Sequence, residues 1–251
     1  MIDLGGFGGT QAASVNGLNE KGEVVGGSYL PGDVQHHPFL WDGEKLIDLT
    51  ASPFGGPGPG EASWINEAGE VVGIASLPTA CPDAPGYVQH AFLWRNGTIT
   101  DLDALGTASD SEAVFINSKS QVVGMSFSCD FLTASAFLWE QGSLVDLNTL
   151  IPSNSEFQLV WAGYIADNGG IGAFGNLSNG DTHAVLLIPC DENHPGVEGC
   201  DYSLADATTE PVARIVPPQA LLLMVPTAVW PRNNRLRISP QSKNKLSSKG
   251  S

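Results

Sequence analysis

Apolar residues along most of this chain come in short runs bounded by Asn, Asp and Gly. In "HAFLW" (His90–Trp94), His90, Phe92 and Trp94 alternate with Ala91 and Leu93. Successive side chains of a strand point to opposite faces, so this run predicts a strand covered on both sides. Its surroundings resolve into four strands. "EASWIN" comes first, and Asn66-Glu67-Ala68-Gly69 then sets Asn and Gly at the first and fourth positions of a turn. "EVVGIAS" returns, and a variable loop leads to "HAFLW". Asn96-Gly97 marks a tight hairpin before "TITDL".

The unit recurs. One marker reads "LNEKGEVVG" at Leu18–Gly26, "INEAGEVVG" at Ile65–Gly73 and "INSKSQVVG" at Ile116–Gly124, with a worn copy, "IADNGGIGA", at Ile165–Ala173. The spacings are 47, 51 and 49 residues. The second marker reads "HPFLWDGEKLIDL" at His37–Leu49, "HAFLWRNGTITDL" at His90–Leu102 and "SAFLWEQGSLVDL" at Ser135–Leu147, and shrinks to "HAVLLIP" at His183–Pro189. Self-similarity at this period signals a repeat architecture. A four-stranded antiparallel sheet packed on both faces and repeated about every 50 residues describes a propeller blade. The expected fold is therefore all-β, a propeller-like array of four repeats at about 5–49, 50–102, 103–147 and 148–189. Phe39, Trp41, Phe92, Trp94, Phe137 and Trp139 are its expected repeat core. A repeat domain over 1–205 and a basic, Pro/Ser-rich, disordered tail over 206–251 follow.

The ends leave closure open. The fourth repeat lacks its "DL" strand after Pro189, while the chain opens on a spare one, "MIDL" at Met1–Leu4. That strand could complete the fourth blade and close a ring of four. Alternatively, the repeats form an open part of a larger propeller, with exposed sheet faces prone to self-association.

"HAFLW", with the Ile-Asn turn, "VVG" and the closing "DL", resembles the HAF-type extracellular repeat proteins of bacteria over roughly residues 1–189. The segment "IPCDENHPGVEGCDYSL" looks like the ending of such proteins in soil bacteria. The resemblance implies export and a repeat-built β structure, and no established reaction. Pro38, Ser135, Ser120 and the missing fourth Trp depart from the motif.

Charge narrows the partners. The 27 acidic residues all lie at or before Glu210, against four basic residues there, Lys21, Lys45, Arg95 and Lys119. Such a body argues against nucleic acid, whose phosphates need Lys and Arg. The last 41 residues carry seven Lys or Arg and no acid. No apolar run reaches the 18 residues of a membrane-spanning helix. Four cysteines in so acidic a chain suggest an oxidising compartment, hence an extracellular or cell-surface location with the export signal outside this reading frame.

Few residues suggest chemistry. His37, His90 and His183 recur, but Ser135 breaks any metal ring, so each is expected to bond within its own blade. Asp3, Asp48, Asp101 and Asp146 recur as turn-capping acceptors. The loops after each second strand carry Asp33, Asp83, Tyr87 and Asp130, the candidate ligand-binding rim, because loops on a rigid scaffold hold binding residues. Cys190 and Cys200 bracket a short polar loop and are the expected structural disulfide. Pairing of Cys81 with Cys129 stays open. Neither pair has zinc-site spacing. A sialidase needs clustered arginines, and Arg95 stands alone before Arg214. Nucleophile-elbow, P-loop and zincin motifs are absent, so no cofactor, catalytic or metal site is assigned. The expected function is a secreted, non-catalytic binding or scaffolding module for an extracellular carbohydrate or protein. The alternatives are an extracellular glycoside hydrolase or an inactive fragment of a longer surface protein.

Overall fold

A computed structural model describes residues 1–50, 54, 59–81, 86–152 and 154–190, with the backbone of Arg237–Ile238. These residues form sixteen strands in four antiparallel four-stranded sheets. The first sheet holds β1 (Ser14–Leu18), β2 (Val24–Tyr29), β3 (His36–Trp41) and β4 (Leu46–Asp48). The second holds β5 (Glu61–Ile65), β6 (Val71–Ala80), β7 (Tyr87–Arg95) and β8 (Thr98–Asp101). The third holds β9 (Asp110–Ile116), β10 (Val122–Phe127), β11 (Ala134–Glu140) and β12 (Ser143–Asp146). The fourth holds β13 (Phe157–Ile165), β14 (Ile171–Leu177), β15 (Thr182–Ile188) and β16 (Arg237–Ile238). Within each, the strands pair in chain order.

The sheets pack in sequence order, each against the next. The double Val of the turn motif shows how. Val71 enters the core between the first and second sheets, and Val72 enters the core between the second and third. Val122 and Val123 divide in the same way between the cores on either side of the third sheet. Phe92 and Leu93, then Phe137 and Leu138, repeat the division on the third strands. Strand alternation thus gives each inner sheet two apolar faces and the molecule three inter-sheet cores. Phe39, Phe92 and Phe137 are buried, and Trp41, Trp94 and Trp139 half-buried.

Leu49, Leu102 and Leu147, each just past a fourth strand, plug the three cores in turn. The Asp before each accepts a backbone N–H two residues on: Asp48 from Thr50 at 2.8 Å, Asp101 from Asp103 at 2.8 Å and Asp146 from Asn148 at 2.8 Å.

A ladder of asparagines stitches the sheets together. Asn66 Oδ1 accepts the N–H groups of Ala68 and Glu70, both at 3.0 Å, fixing its own turn. Its Nδ2 donates at 3.0 Å to the carbonyl of Asn117, its counterpart in the next sheet. Asn19 donates to the Asn66 carbonyl at 3.2 Å, and Asn117 to that of Ala166 at 3.2 Å. All three asparagines are buried. The ladder stops at the fourth sheet, where Ala166 has no amide to donate.

Met1–Leu4 does not complete the fourth sheet. It forms no strand, Met1 and Ile2 are exposed, and the place beside β15 belongs to β16. The segment after it is held on the first sheet instead. Phe7 stacks edge-on against Phe39 at 6.5 Å, its N–H donates to Ser28 Oγ at 3.0 Å, and Gly9 N–H donates to the Tyr29 carbonyl at 3.0 Å. None of the sheets closes on itself, and no strand pairing joins the first to the fourth among the described residues.

Candidate functional site

The first strands β1, β5, β9 and β13 pack in succession, and each carries a bulge at the same repeat position. Pairing skips Asn16, Ser63, Val114 and Gly163. A bulge leaves one residue unpaired and re-aims the next side chain. Here the next residues are Gly17, Trp64, Phe115 and Tyr164. The last three form a ring ladder: Trp64 to Phe115 is 4.8 Å between centroids, and Phe115 to Tyr164 is 4.1 Å. Phe115 is buried in the middle, and Tyr164 is 56% exposed at the end.

The bulges also explain the Gly of "VVG". A Cβ on Gly26, Gly73 or Gly124 would lie 2.0, 2.1 or 1.9 Å from the carbonyl oxygen of Ser14, Glu61 or Glu112 on the bulged strand. No side chain fits there.

All four bulge residues and the three rings line one cleft of about 510 Å³, with Glu61, Glu112 and Ile74 completing its wall. A second hollow of about 280 Å³ adjoins the same rings on the side of the asparagine turns. Apolar walls carrying a few polar groups are the usual make-up of a ligand cleft. Glu61 accepts from Ser14 Oγ at 2.5 Å and from Asn16 Nδ2 at 2.6 Å, so it is held in place. Glu112 occupies the equivalent position one repeat on. Burial, and secondarily the charge of Glu61, push its carboxyl above the ordinary glutamate range. The cleft thus offers one carboxylate held by two donors, one carboxyl whose ionisation burial opposes, and an aromatic floor.

The rim residues fall elsewhere. Asp33 accepts from the N–H groups of Thr10 at 2.7 Å and Gln11 at 3.2 Å and from the Thr10 hydroxyl, tying the N-terminal segment to its loop. The Thr10 hydroxyl foremost, with these N–H groups, lowers its pKa. Asp130 accepts from Ser128 Oγ at 2.5 Å and Leu132 N–H at 3.0 Å within its own loop. Tyr87, 43% exposed, opens β7 opposite Ala80. Asp83 and Cys200 lie outside the described residues; Cys190 is buried just past β15. Cys81 and Cys129 form a disulfide with Cα atoms 5.9 Å apart, bridging the rim loops of the second and third sheets. Asp110 lies close by, but oxidised sulfurs are not thiolate ligands, so this trio is no metal centre.

Two of the three recurring histidines bond to the fourth-strand Asp of their own sheets. His37 Nδ1 meets Asp48 at 2.9 Å, and His90 Nδ1 meets Asp101 at 2.9 Å. Burial of His90 opposes its charged form. The hydrogen bond and charge of Asp101, with Asp103 and the Ser109 carbonyl, outweigh that and raise its pKa above 6.5. His183 lies against Phe157 at 5.9 Å, in the fourth sheet.

The cleft residues were readable in principle. Aligned on the turn asparagine, the column two positions before it reads Gly17, Trp64, Phe115, Tyr164, and the column five before it reads Ser14, Glu61, Glu112, Trp161. Nothing in a strand pattern announces a bulge, however, and without it these columns look like alternating packing positions. No protein-family model, no curated protein and no solved structure matches this chain.

Proposed function

We propose that the chain is a non-catalytic, repeat-built binding module of the cell exterior, its sheets the blades of a propeller-like array and its ligand a carbohydrate. One observation carries the reading: the same position of three consecutive repeats supplies Trp64, Phe115 and Tyr164 to a single cleft edged by Glu61, Glu112, Asn16 and Ser63. Sugars present apolar ring faces and a rim of hydroxyls. Exposed aromatic faces take the first, and carboxylates and amides accept from or donate to the second. The Cys81–Cys129 disulfide supports an oxidising location, in keeping with the resemblance to HAF-type repeat proteins. Their bacterial, exported character belongs to the same proposal.

A second reading, glycoside hydrolysis, draws on one feature. A carboxyl whose ionisation is opposed by burial, beside one held as an acceptor, is the kind of pairing an acid and its partner carboxylate use.

One experiment separates the readings. The protein is passed over an oligosaccharide panel while new reducing ends are assayed. A binder retains a subset of sugars without cleavage, and Tyr164→Ala weakens retention about tenfold while leaving the fold intact. Cleavage that disappears in Glu112→Gln establishes the hydrolase instead. Absence of both retention and cleavage across the panel removes the carbohydrate reading.

A further inference from the structure

Each inter-sheet core is built from the same parts. The leading sheet offers the Leu of its third strand, and the following sheet offers Phe92, Phe137 or Val185 at the preceding position of its own, with an aromatic or aliphatic linker residue beside it. Leu40, Leu93 and Leu138 are the leading residues, 3%, 4% and 1% exposed. Their counterpart on the fourth sheet, Leu186, is 48% exposed, and Phe174 on the same sheet is 43% exposed. Ala184 is exposed where Ala91 and Ala136 are wholly buried. The trailing face of the fourth sheet is therefore an interface of the established kind without its second half.

The opposite end of the array carries that second half. Phe7 meets Phe39 edge-on at 6.5 Å, as Phe54 meets Phe92 at 6.1 Å in the core between the first and second sheets. Leu4 precedes Phe7 as Leu49 precedes Phe54, so the leading face of the first sheet already has its linker in place. The asparagine ladder agrees in direction. Asn66, Asn117 and Ala166 each have a carbonyl that receives an amide from the preceding sheet. The Asn19 carbonyl, at the head of the ladder, accepts the Gly22 N–H of its own turn and, among the described residues, no ladder amide.

We propose that a second copy of this chain docks its first sheet on the fourth sheet of the first, continuing the array head to tail. Such a contact uses different surfaces on its two sides. It closes when two copies each supply both halves, or it extends into longer assemblies. Nothing in this inference depends on the cleft or its ligand.

The full chain is followed by sedimentation velocity across a wide range of concentration. The expected result is concentration-dependent association that Leu186→Glu weakens at least about tenfold, because it sets a charge at the centre of the contact. Ala166→Asn restores a ladder donor facing the Asn19 carbonyl of the incoming copy and is expected to strengthen association. Both positions are at least partly accessible, and circular dichroism confirms that the variants fold. A mixture of Leu4→Cys and Leu186→Cys chains should then cross-link between copies under mild oxidation. A wild-type chain that stays monomeric throughout overturns the proposal. So does a Leu4→Cys/Leu186→Cys double variant that cross-links within single chains, since the array would then be closing on itself.

Discussion

Glu112 sits where the proposed function and stability pull apart. Its carboxyl lies in the cleft beside Glu61, with burial and then that neighbour opposing ionisation. Raising the pKa of an acid in the folded state means that folding disfavours the charged form. The penalty is absent below about pH 4.5, the ordinary glutamate value, grows as pH rises past it and is complete above the raised value. Glu112→Gln should therefore raise the melting temperature at neutral pH and leave it unchanged below pH 4.5. A gain of the same size at both pH values would show that packing, not charge, is responsible. The turn asparagines make the opposite case. Sequence shows them as turn formers, which they are, since Asn66 Oδ1 closes its own turn. It does not show that the other end of each amide reaches a different sheet, because a donor's partner 51 residues away leaves no local trace.

At the scale of elements, the strands and hairpins were legible because both follow from short-range physics. Alternation marks the strand faces, Asn-Gly and Asn-x-x-Gly mark the turns, and the repeat tells the same story four times. The bulges were not legible, since a skipped residue such as Ser63 or Val114 differs from its neighbours only in pairing. Their imprint is indirect, in the Gly that must face the bulged strand. Gly124→Ala should lower stability by about 1–3 kcal/mol, the usual cost of overpacking, because its Cβ would meet the Glu112 carbonyl. Chemical denaturation measures it, and a neutral result would mean that the bulge relaxes. Gly142→Ala, at a positive φ but with open space around it, is the matched control for backbone strain alone. The place of the spare "MIDL" stayed open for a related reason. A strand-like tetrapeptide says nothing about which sheet it joins, and Phe7, three residues past Leu4, binds the chain to the first sheet before the fourth is in reach.

For the whole molecule, stability resides in three cores between neighbours rather than in one centre, the pattern of repeat proteins in which each unit contacts only the next. The disulfide breaks that one-dimensional logic. It ties the loop after β6 to the loop after β10, so the later half of the second sheet and the earlier half of the third lie inside one covalent ring. Pulled by its two ends, the chain would behave as a rope with a knot in it. The 48 residue steps from Cys81 to Cys129 cannot be paid out, which withholds about 160 Å of length at roughly 3.4 Å per residue. Single-molecule stretching should find the Cys81→Ser/Cys129→Ser variant longer than the wild-type chain by that amount under non-reducing conditions. If the two extend equally, the two loops are not joined in the protein under load. Under pull or shear, such a ring keeps the two middle sheets together after the outer ones have let go.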